Sequence, residues 1–349
     1  VVNEGFHVFA GLGSGFDPLQ PEHQREHAVR QLGLDRVRDL QHYAADEYHF
    51  VVDTEAPVLK ELTFSYYNEE SGQWVPYDPA KPVSATVQVS MVIKEHYFKI
   101  SDTFEDGQID FEIGADKTAE NDTTDYQEIY GTDVNTKWGN NIVNGSPVED
   151  EWRLTLTFGN DAVYSLDFAY SDLSGKTLAE TVSQTFTVDK TQPEGTISID
   201  GRSVWDTVWK ILSFDIFKND TYNIELTSKD RTSGVESTAY YKTRDQISEE
   251  ALMELNEDEW IKSTSFSVSP NEQNEQFVVY GRVIDRAGNV RYLYPTNGAV
   301  ADDTKPEITI TNLSTSRNGI FRDDVTLHID VTDPINGNTY SGIKLLEYT

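Results

Sequence analysis

The chain has 349 residues, which predicts two or three domains at about 100–200 residues per domain. Its 60 acidic and 28 basic residues give a formal charge of −32, and such a surface repels both nucleic-acid phosphates and anionic lipids. The absence of cysteine excludes disulfides, thiol nucleophiles and thiolate metal sites. No apolar run approaches the roughly 18 residues of a membrane helix, and neither end has the pattern of a signal peptide. We therefore expect no nucleic-acid partner and no membrane insertion.

Residues 1–53 differ in composition from the rest of the chain. Their first 50 residues contain five of the seven histidines, four arginines and no lysine. The pattern after Pro21 predicts a helix to about Leu32, and Asp35 can cap a second helix. His23 and His27, four residues apart, could offer two metal ligands, but exposed polar residues on an amphipathic helix explain them better. We predict a small helical segment or a truncated N-terminal domain.

An extended phrase with Asp four residues before Pro occurs three times, at 53–57, 189–193 and 302–306. Each phrase follows one apolar stretch and precedes another, and Pro keeps the residue before it out of the helical region. The prolines are 136 and 113 residues apart, and each interval accommodates one β-sandwich of roughly 100 residues. The phrase therefore predicts stiff linkers between repeated modules.

Alternating apolar and polar residues indicate antiparallel strands with one buried face. This two-residue period is found in the following apolar sets: Val87, Val89 and Met91; Trp152, Leu154, Leu156 and Phe158; Tyr164, Leu166, Phe168 and Tyr170; Val325, Leu327, Ile329 and Val331. Helix is sparse by comparison, although Ser248 can cap a short helix over Glu249–Leu255. The pattern predicts an all-β fold.

Two glycine-containing turns support a shared ending for two modules. Asp172–Lys176 and Asp285–Asn289 each follow a predicted strand, and each begins 17 residues before a linker Asp, at Asp189 and Asp302. Gly supplies the positive φ that a tight hairpin requires. We predict β-sandwiches at 54–190 and 191–303, with the first strands of a third at 304–349. Because the strand pattern stops abruptly, we expect a fragment of a longer protein.

The strings after residue 58 resemble the bacterial immunoglobulin-like repeats of large surface proteins from Gram-positive gut clostridia. The likeness rests on strings in both modules, namely Glu95-His96-Tyr97-Phe98, Tyr164 to Asp172, Phe186 to Lys190, Ser233-Gly234-Val235, Tyr240-Tyr241, Ile247 to Leu255, Trp260 and Asp285 to Asn289. It implies tandem immunoglobulin-like sandwiches, an extracellular location at the cell surface or in secretion, and a role in display, adhesion or spacing. Ser174 and Lys176 depart from the Ala and Asn usual in the repeat, which argues against an ion at that turn.

Acidic loops raise the alternative of calcium binding. Asp102, Asp106 and Asp110 partly follow EF-hand spacing, but Phe104 and Ile113 replace two required oxygen ligands, so we reject an EF-hand. Asp285 and Asn289 could share an ion with a linker acid, although turn chemistry explains both residues. We predict no obligatory cofactor and leave calcium open.

No motif typical of an enzyme occurs, because the chain lacks a phosphate loop, a nucleophile elbow and a zinc helix. We expect a non-catalytic adhesion or spacer protein whose partner is a host protein or a glycan. One variant has the N-terminal segment bind a host protein, such as immunoglobulin, through Arg30, Arg36, Arg38 and Tyr43. The alternative is a carbohydrate-binding or spacer region of a secreted glycoside hydrolase, with sugars stacking on exposed members of Trp138, Trp205, Trp209 and Trp260.

Overall fold

The computed structural model describes residues 52–98, 109–116, 138–270 and 273–347. The chain divides into two compact units, Val1–Thr54 and Glu55–Thr349, and the fold described below belongs to the second. The predicted helical segment at 1–53 lies outside the described residues, except for Val52 and Asp53, which belong to no helix or strand. Among the described residues, no helix is long and apolar enough to cross a membrane. The described part is mostly β-strand with almost no helix, which confirms the all-β prediction.

The first part of the unit contains eight strands in two sheets, here called the N-terminal sheet pair. The strands are β1 (Val58–Asn68), β2 (Gln73–Pro76), β3 (Val87–Lys94), β4 (Ile109–Asp116), β5 (Gly139–Val143), β6 (Ser146–Phe158), β7 (Ala162–Tyr170) and β8 (Val182–Val188). One sheet has the order β2-β1-β3-β6-β5 and the other β4-β7-β8, with every pairing antiparallel. The three periods of two predicted in this region fall on β3, β6 and β7, and their apolar residues are largely buried.

The two sheets of the N-terminal pair share one hydrophobic core. Leu154 from the five-stranded sheet and Leu166 from the three-stranded sheet are both buried in it. Its centre is aromatic: the ring of Phe186 lies 5.0 Å from that of Phe158 and 5.1 Å from that of Tyr164. Aromatic residues bury the largest apolar areas per side chain, so this cluster supplies much of the driving force for packing.

The next part contains ten strands, here called the C-terminal sheet pair. They are β9 (Glu194–Ile199), β10 (Arg202–Ser203), β11 (Trp205–Asp206), β12 (Ser213–Lys218), β13 (Tyr222–Lys229), β14 (Val235–Thr243), β15 (Ser265–Val268), β16 (Glu275–Asp285), β17 (Val290–Pro295) and β18 (Asn297–Ala301). One sheet has the order β10-β9-β13-β15; the other has the order β11-β17-β16-β18-β12, and β14 also pairs with β16. A second hydrophobic core lies between the two sheets of the C-terminal pair, and it shares no residue with the core of the N-terminal pair.

One short helix, α1 (Glu249–Met253), connects β14 to β15, followed by a 3₁₀ turn at Glu257–Glu259. Ser248 caps α1, because its side chain accepts a hydrogen bond from the Ala251 N–H at 3.2 Å. The predicted cap is confirmed, and the helix ends two residues earlier than predicted. Leu252 anchors it in a third small cluster with Trp260 and Tyr280.

The last described strands are β19 (Glu307–Asn312), β20 (Ser316–Arg317), β21 (Ile320–Phe321) and β22 (Leu327–Thr332). β19 pairs with β22, and β20 pairs with β21. The predicted alternation at 325–331 lies partly on β22, but Leu327 and Ile329 are exposed. Within the described part of the chain, this pair of strands therefore has no opposing sheet over its apolar residues.

Candidate functional site

The linker between the two sheet pairs begins at Asp189, directly after β8. This side chain is 0% exposed. An oxygen of Asp189 lies within 4.8 Å of carboxylate oxygens from Asp230 and Asp285, both of which belong to the C-terminal sheet pair. We call these three residues the linker acid cluster.

Local turn chemistry fixes each acid of the cluster. Asp230 follows β13, and its Oδ1 accepts the Gly234 N–H at 2.6 Å. Asp285 ends β16 and opens the predicted hairpin turn, where Gly288 has a φ of 92°. Both oxygens of Asp285 are engaged by Asn289, which donates its backbone N–H at 2.8 Å and its side-chain Nδ2 at 2.7 Å. Gly is required here because other residues are strained at such a φ.

Hydrogen bonds join the C-terminal sheet pair both to the linker and to the N-terminal sheet pair. The Ser233 N–H donates to Asp189 Oδ2 at 3.0 Å, and Asn289 Nδ2 donates to the Asp189 carbonyl at 2.9 Å. Asn289 Oδ1 in turn accepts a hydrogen bond from the Ser84 hydroxyl of the N-terminal sheet pair. Asn289 thus contacts the hairpin, the linker and the preceding sheet pair at once.

The second linker repeats this arrangement. Asp302 follows β18, and its Oδ2 accepts the Ser341 N–H at 2.6 Å, as Asp189 accepts that of Ser233. Asp333 accepts the Gly342 N–H at 2.7 Å, which corresponds to Asp230 and Gly234. The first side-chain oxygen of each linker Asp also accepts the N–H two residues later, from Thr191 and Thr304. The two linkers therefore share equivalent hydrogen bonds as well as a repeated sequence.

Two carboxyls of the cluster, those of Asp189 and Asp285, have pKa values raised above the ordinary Asp value. Burial raises the pKa of Asp189, with a further rise from the charges of Asp230 and Asp285 and opposition from hydrogen bonds of Ser233. Burial also raises the pKa of Asp285, where Asn289 opposes the rise. Three close acids of this kind can be neutralised by a proton or by a hard cation. Each also accepts hydrogen bonds from its neighbours, so the contacts themselves support a linking role.

The sequence grouped Asp285 and Asn289 with a linker acid, and the structure brings these residues together. The sequence did not identify Asp230 as a member of this group, nor did it predict the hydrogen bond from the Ser233 N–H to Asp189. A signal was present, because Ser233-Gly234 and Ser341-Gly342 are repeated strings, as are the linker acids. The sequence did not indicate that each Ser-Gly string contacts the linker Asp.

The other candidate residues are distributed differently. Arg30, Arg36, Arg38, Tyr43, Asp102 and Asp106 lie outside the described residues, so their predicted roles stay predictions. Asp110 lies on strand β4. Of the tryptophans offered for sugar stacking, Trp138 and Trp260 are buried in cores, and Trp205 and Trp209 are half-buried. Tyr67 and Trp74 form an exposed aromatic pair, with ring centroids 5.4 Å apart.

No protein-family model and no curated protein matches this chain.

Proposed function

We propose that this chain is a non-catalytic array of immunoglobulin-like β-sandwiches from a bacterial cell-surface or secreted protein. In this role it acts as a stiff spacer that presents a recognition element. The observation that carries the proposal is the set of hydrogen bonds by which Asp189 and Asn289 join the two sheet pairs.

The strand order supports immunoglobulin-like sandwiches. Immunoglobulin constant-type domains have strands A, B, E and D in one sheet, in that order, and C, F and G in the other. In the N-terminal sheet pair, β1-β3-β6-β5 and β4-β7-β8 follow this order if β2 is an addition at the edge. In the C-terminal pair, β9-β13-β15 and β14-β16-β18 follow it with α1 in place of strand D. Each pair also has one parallel contact at its last strand, at Val83 with Val188 and at β12 with β18.

The linker contacts support stiffness. Only five residues, 189–193, separate β8 from β9, and both termini of this segment are buried. Hydrogen bonds to the buried Asp189 restrict rotation about the linker, because leaving a buried carboxylate without donors is costly. Repetition of the same contacts at Asp302 extends the argument to the next repeat.

A distance measurement between the sheet pairs tests this proposal. Since the chain lacks cysteine, Ser183→Cys and Glu225→Cys on exposed positions give two unique spin-label sites. We expect a single narrow distance distribution by pulsed electron paramagnetic resonance. Insertion of Gly-Ser-Gly after Thr191 is the matched control and is expected to broaden it. A distribution in the uninserted chain as broad as in the control would overturn the spacer proposal.

For the recognition element, the predicted host-protein surface at Arg30, Arg36, Arg38 and Tyr43 is the first candidate. The alternative, a glycan-binding region of a secreted glycoside hydrolase, is supported by the exposed Tyr67 and Trp74 pair, since sugars stack on exposed aromatic rings. Both candidates leave the spacer role unchanged.

One binding experiment separates the two candidates. We expect the full chain to bind a secreted host protein on an array, and Arg30→Glu, Arg36→Glu and Arg38→Glu together to reduce that binding at least tenfold. Trp74→Ala is the matched surface control and is expected to leave it unchanged. Retention on a polysaccharide gel that Trp74→Ala abolishes would instead establish the glycan alternative.

A further inference from the structure

A second pair of acids is buried within the N-terminal sheet pair. Glu95 follows β3, and Asp172 opens the hairpin turn after β7; their side chains are 4% and 3% exposed. One oxygen of each carboxylate lies within 4.8 Å of the other. Glu95 Oε1 accepts the Tyr97 N–H at 3.0 Å, and a group of opposite charge would stabilise two acids buried this closely.

The two oxygens of Asp172 have different surroundings. Oδ1 accepts three hydrogen bonds, from the backbone N–H of Ser174, the hydroxyl of Ser174 and the backbone N–H of Lys176, each at 2.8 Å. Oδ2 is buried and has no hydrogen-bond donor among the described residues. Buried polar atoms are satisfied in most proteins, so an orphaned carboxylate oxygen indicates a missing partner.

The equivalent turn of the C-terminal sheet pair shows which partner is missing. There Asp285 has both oxygens satisfied, because Asn289 supplies a side-chain amide to Oδ2. Lys176 occupies the position of Asn289, four residues after the turn acid, and its Nζ donates to the Ser174 hydroxyl at 2.7 Å. The replacement of Asn by Lys therefore removes the amide donor from Asp172 Oδ2.

The surroundings of the Asp172 carboxyl act on its pKa in opposite directions. Burial tends to raise its pKa, but the hydrogen bonds from Lys176 and Ser174, together with the Lys176 charge, bring the pKa below its ordinary value. The features that a bound cation would satisfy are geometric: both acids are buried, their carboxylate oxygens are close, and Asp172 Oδ2 has no donor among the described residues.

We propose that Glu95 and Asp172 form a binding site for a hard divalent cation of the calcium class. Calcium takes oxygen ligands at about 2.3–2.6 Å, so two oxygens on one ion lie no more than about 5 Å apart. The separation of up to 4.8 Å between the two carboxylates satisfies this limit. The donor set contains only oxygen, which favours calcium over zinc, and the flexible coordination of calcium allows water to complete its shell. This reverses the expectation from the departures at Ser174 and Lys176, because the loss of the usual Asn is what opens the site.

Terbium luminescence tests this site directly, with the full chain and Tb³⁺ as a calcium substitute. The Trp152 indole N–H donates to the Glu95 carbonyl at 2.8 Å, so Trp152 lies close enough to sensitise an ion bound there. We expect terbium emission on tryptophan excitation, and displacement of the terbium by Ca²⁺. Asp172→Asn and Glu95→Gln are each expected to weaken binding at least about tenfold, since even changes around metal ligands cost about 10–100-fold.

Four variants distinguish this site from general attraction to an acidic surface. Asp167→Asn removes the same charge from an exposed position on β7 and is expected to leave affinity unchanged. Trp152→Phe is expected to remove the emission while calorimetric Ca²⁺ affinity remains. Lys176→Asn restores the amide donor and is expected to weaken binding, whereas Lys176→Ala removes a competing positive charge and is expected to maintain or strengthen it.

Unchanged or absent Ca²⁺ binding would overturn the proposal. If Ca²⁺ does not bind, or binds with the same affinity to Asp172→Asn and Glu95→Gln as to the unmodified chain, then no cation site exists at these acids. Circular dichroism of each variant, compared with the unmodified chain, shows that any loss of binding reflects the ligand and not unfolding.

Discussion

Replacement of Phe186 by alanine is expected to destabilise the N-terminal sheet pair and to leave the stability of the C-terminal sheet pair unchanged. Phe186 is almost fully buried, and its ring contacts those of Phe158, Tyr164 and Phe64. Removal of a buried Phe side chain costs about 3–5 kcal/mol, a large share of the 5–15 kcal/mol that stabilises a typical domain. The core of the C-terminal pair contains none of these residues, so the loss is expected to stay local.

Urea denaturation followed by hydrogen exchange measures this effect segment by segment. In Phe186→Ala we expect β3, β6 and β7 to lose protection at lower urea than in the unmodified chain, and β13 and β16 to keep theirs. Phe217→Ala is the matched control, because Phe217 is 50% exposed and its truncation is expected to change stability by no more than about 0.5 kcal/mol. If both sheet pairs unfold together in Phe186→Ala, the predicted boundary near residue 190 does not separate independent folding units.

The strands were predictable because burial on one face leaves a direct record in the sequence. The sets around Leu154 and Leu166 alternate at the period that a half-buried strand requires, and they lie on β6 and β7 with their apolar residues buried. The turns at Asp172 and Asp285 were predictable for a related reason, since Gly175 and Gly288 have φ values of 84° and 92° that favour glycine. Strand periodicity and turn type are set by residues close together in the sequence, so they can be predicted from it.

The contacts that join the sheet pairs were less predictable because they depend on residues far apart in sequence. Ser84 and Asn289 are separated by 205 positions, and neither has a neighbour that indicates the other. Asp230 likewise joins Asp189 and Asp285 only after two sheets have packed. The buried Leu327 face predicted by alternation also required an opposing sheet, and the described residues do not supply one.

The linker contacts converge on the side chain of Asn289, and Asn289→Ala is expected to destabilise the C-terminal sheet pair. Asp285 Oδ2 would lose the amide donor 2.7 Å away while the residue stays 1% exposed and close to two other acids. Hydrogen bonds to charged groups contribute about 1.5–3 kcal/mol, so we expect a loss of about that size at neutral pH. The hydrogen bonds to the Asp189 carbonyl and from Ser84 would also be lost, which is expected to broaden the distance distribution between the sheet pairs.

The pH dependence of that loss gives the sharpest test of its cause. Burial already raises the pKa of Asp285 in the folded chain, and removal of the opposing side-chain bond from Asn289 Nδ2 is expected to raise it further, while the backbone N–H bond is retained. A group with a raised folded pKa stabilises the fold below its unfolded pKa, and that stabilisation is lost as pH rises through the folded value. The deficit of Asn289→Ala is therefore expected to be largest at neutral pH and to shrink as the pH falls towards about 4, the ordinary range of an Asp carboxyl.

Urea denaturation at neutral and acidic pH measures the deficit. Asn297→Ala is the matched control, because Asn297 Nδ2 donates at 2.7 Å to the exposed carboxylate of Asp215, which water can solvate in its place. We expect the control to lose well under half as much stability and to show no comparable change with pH. An Asn289→Ala deficit that stays constant from neutral to acidic pH would contradict a role for the buried Asp285 charge. It would leave packing of the Asn289 side chain as the source of linker stability.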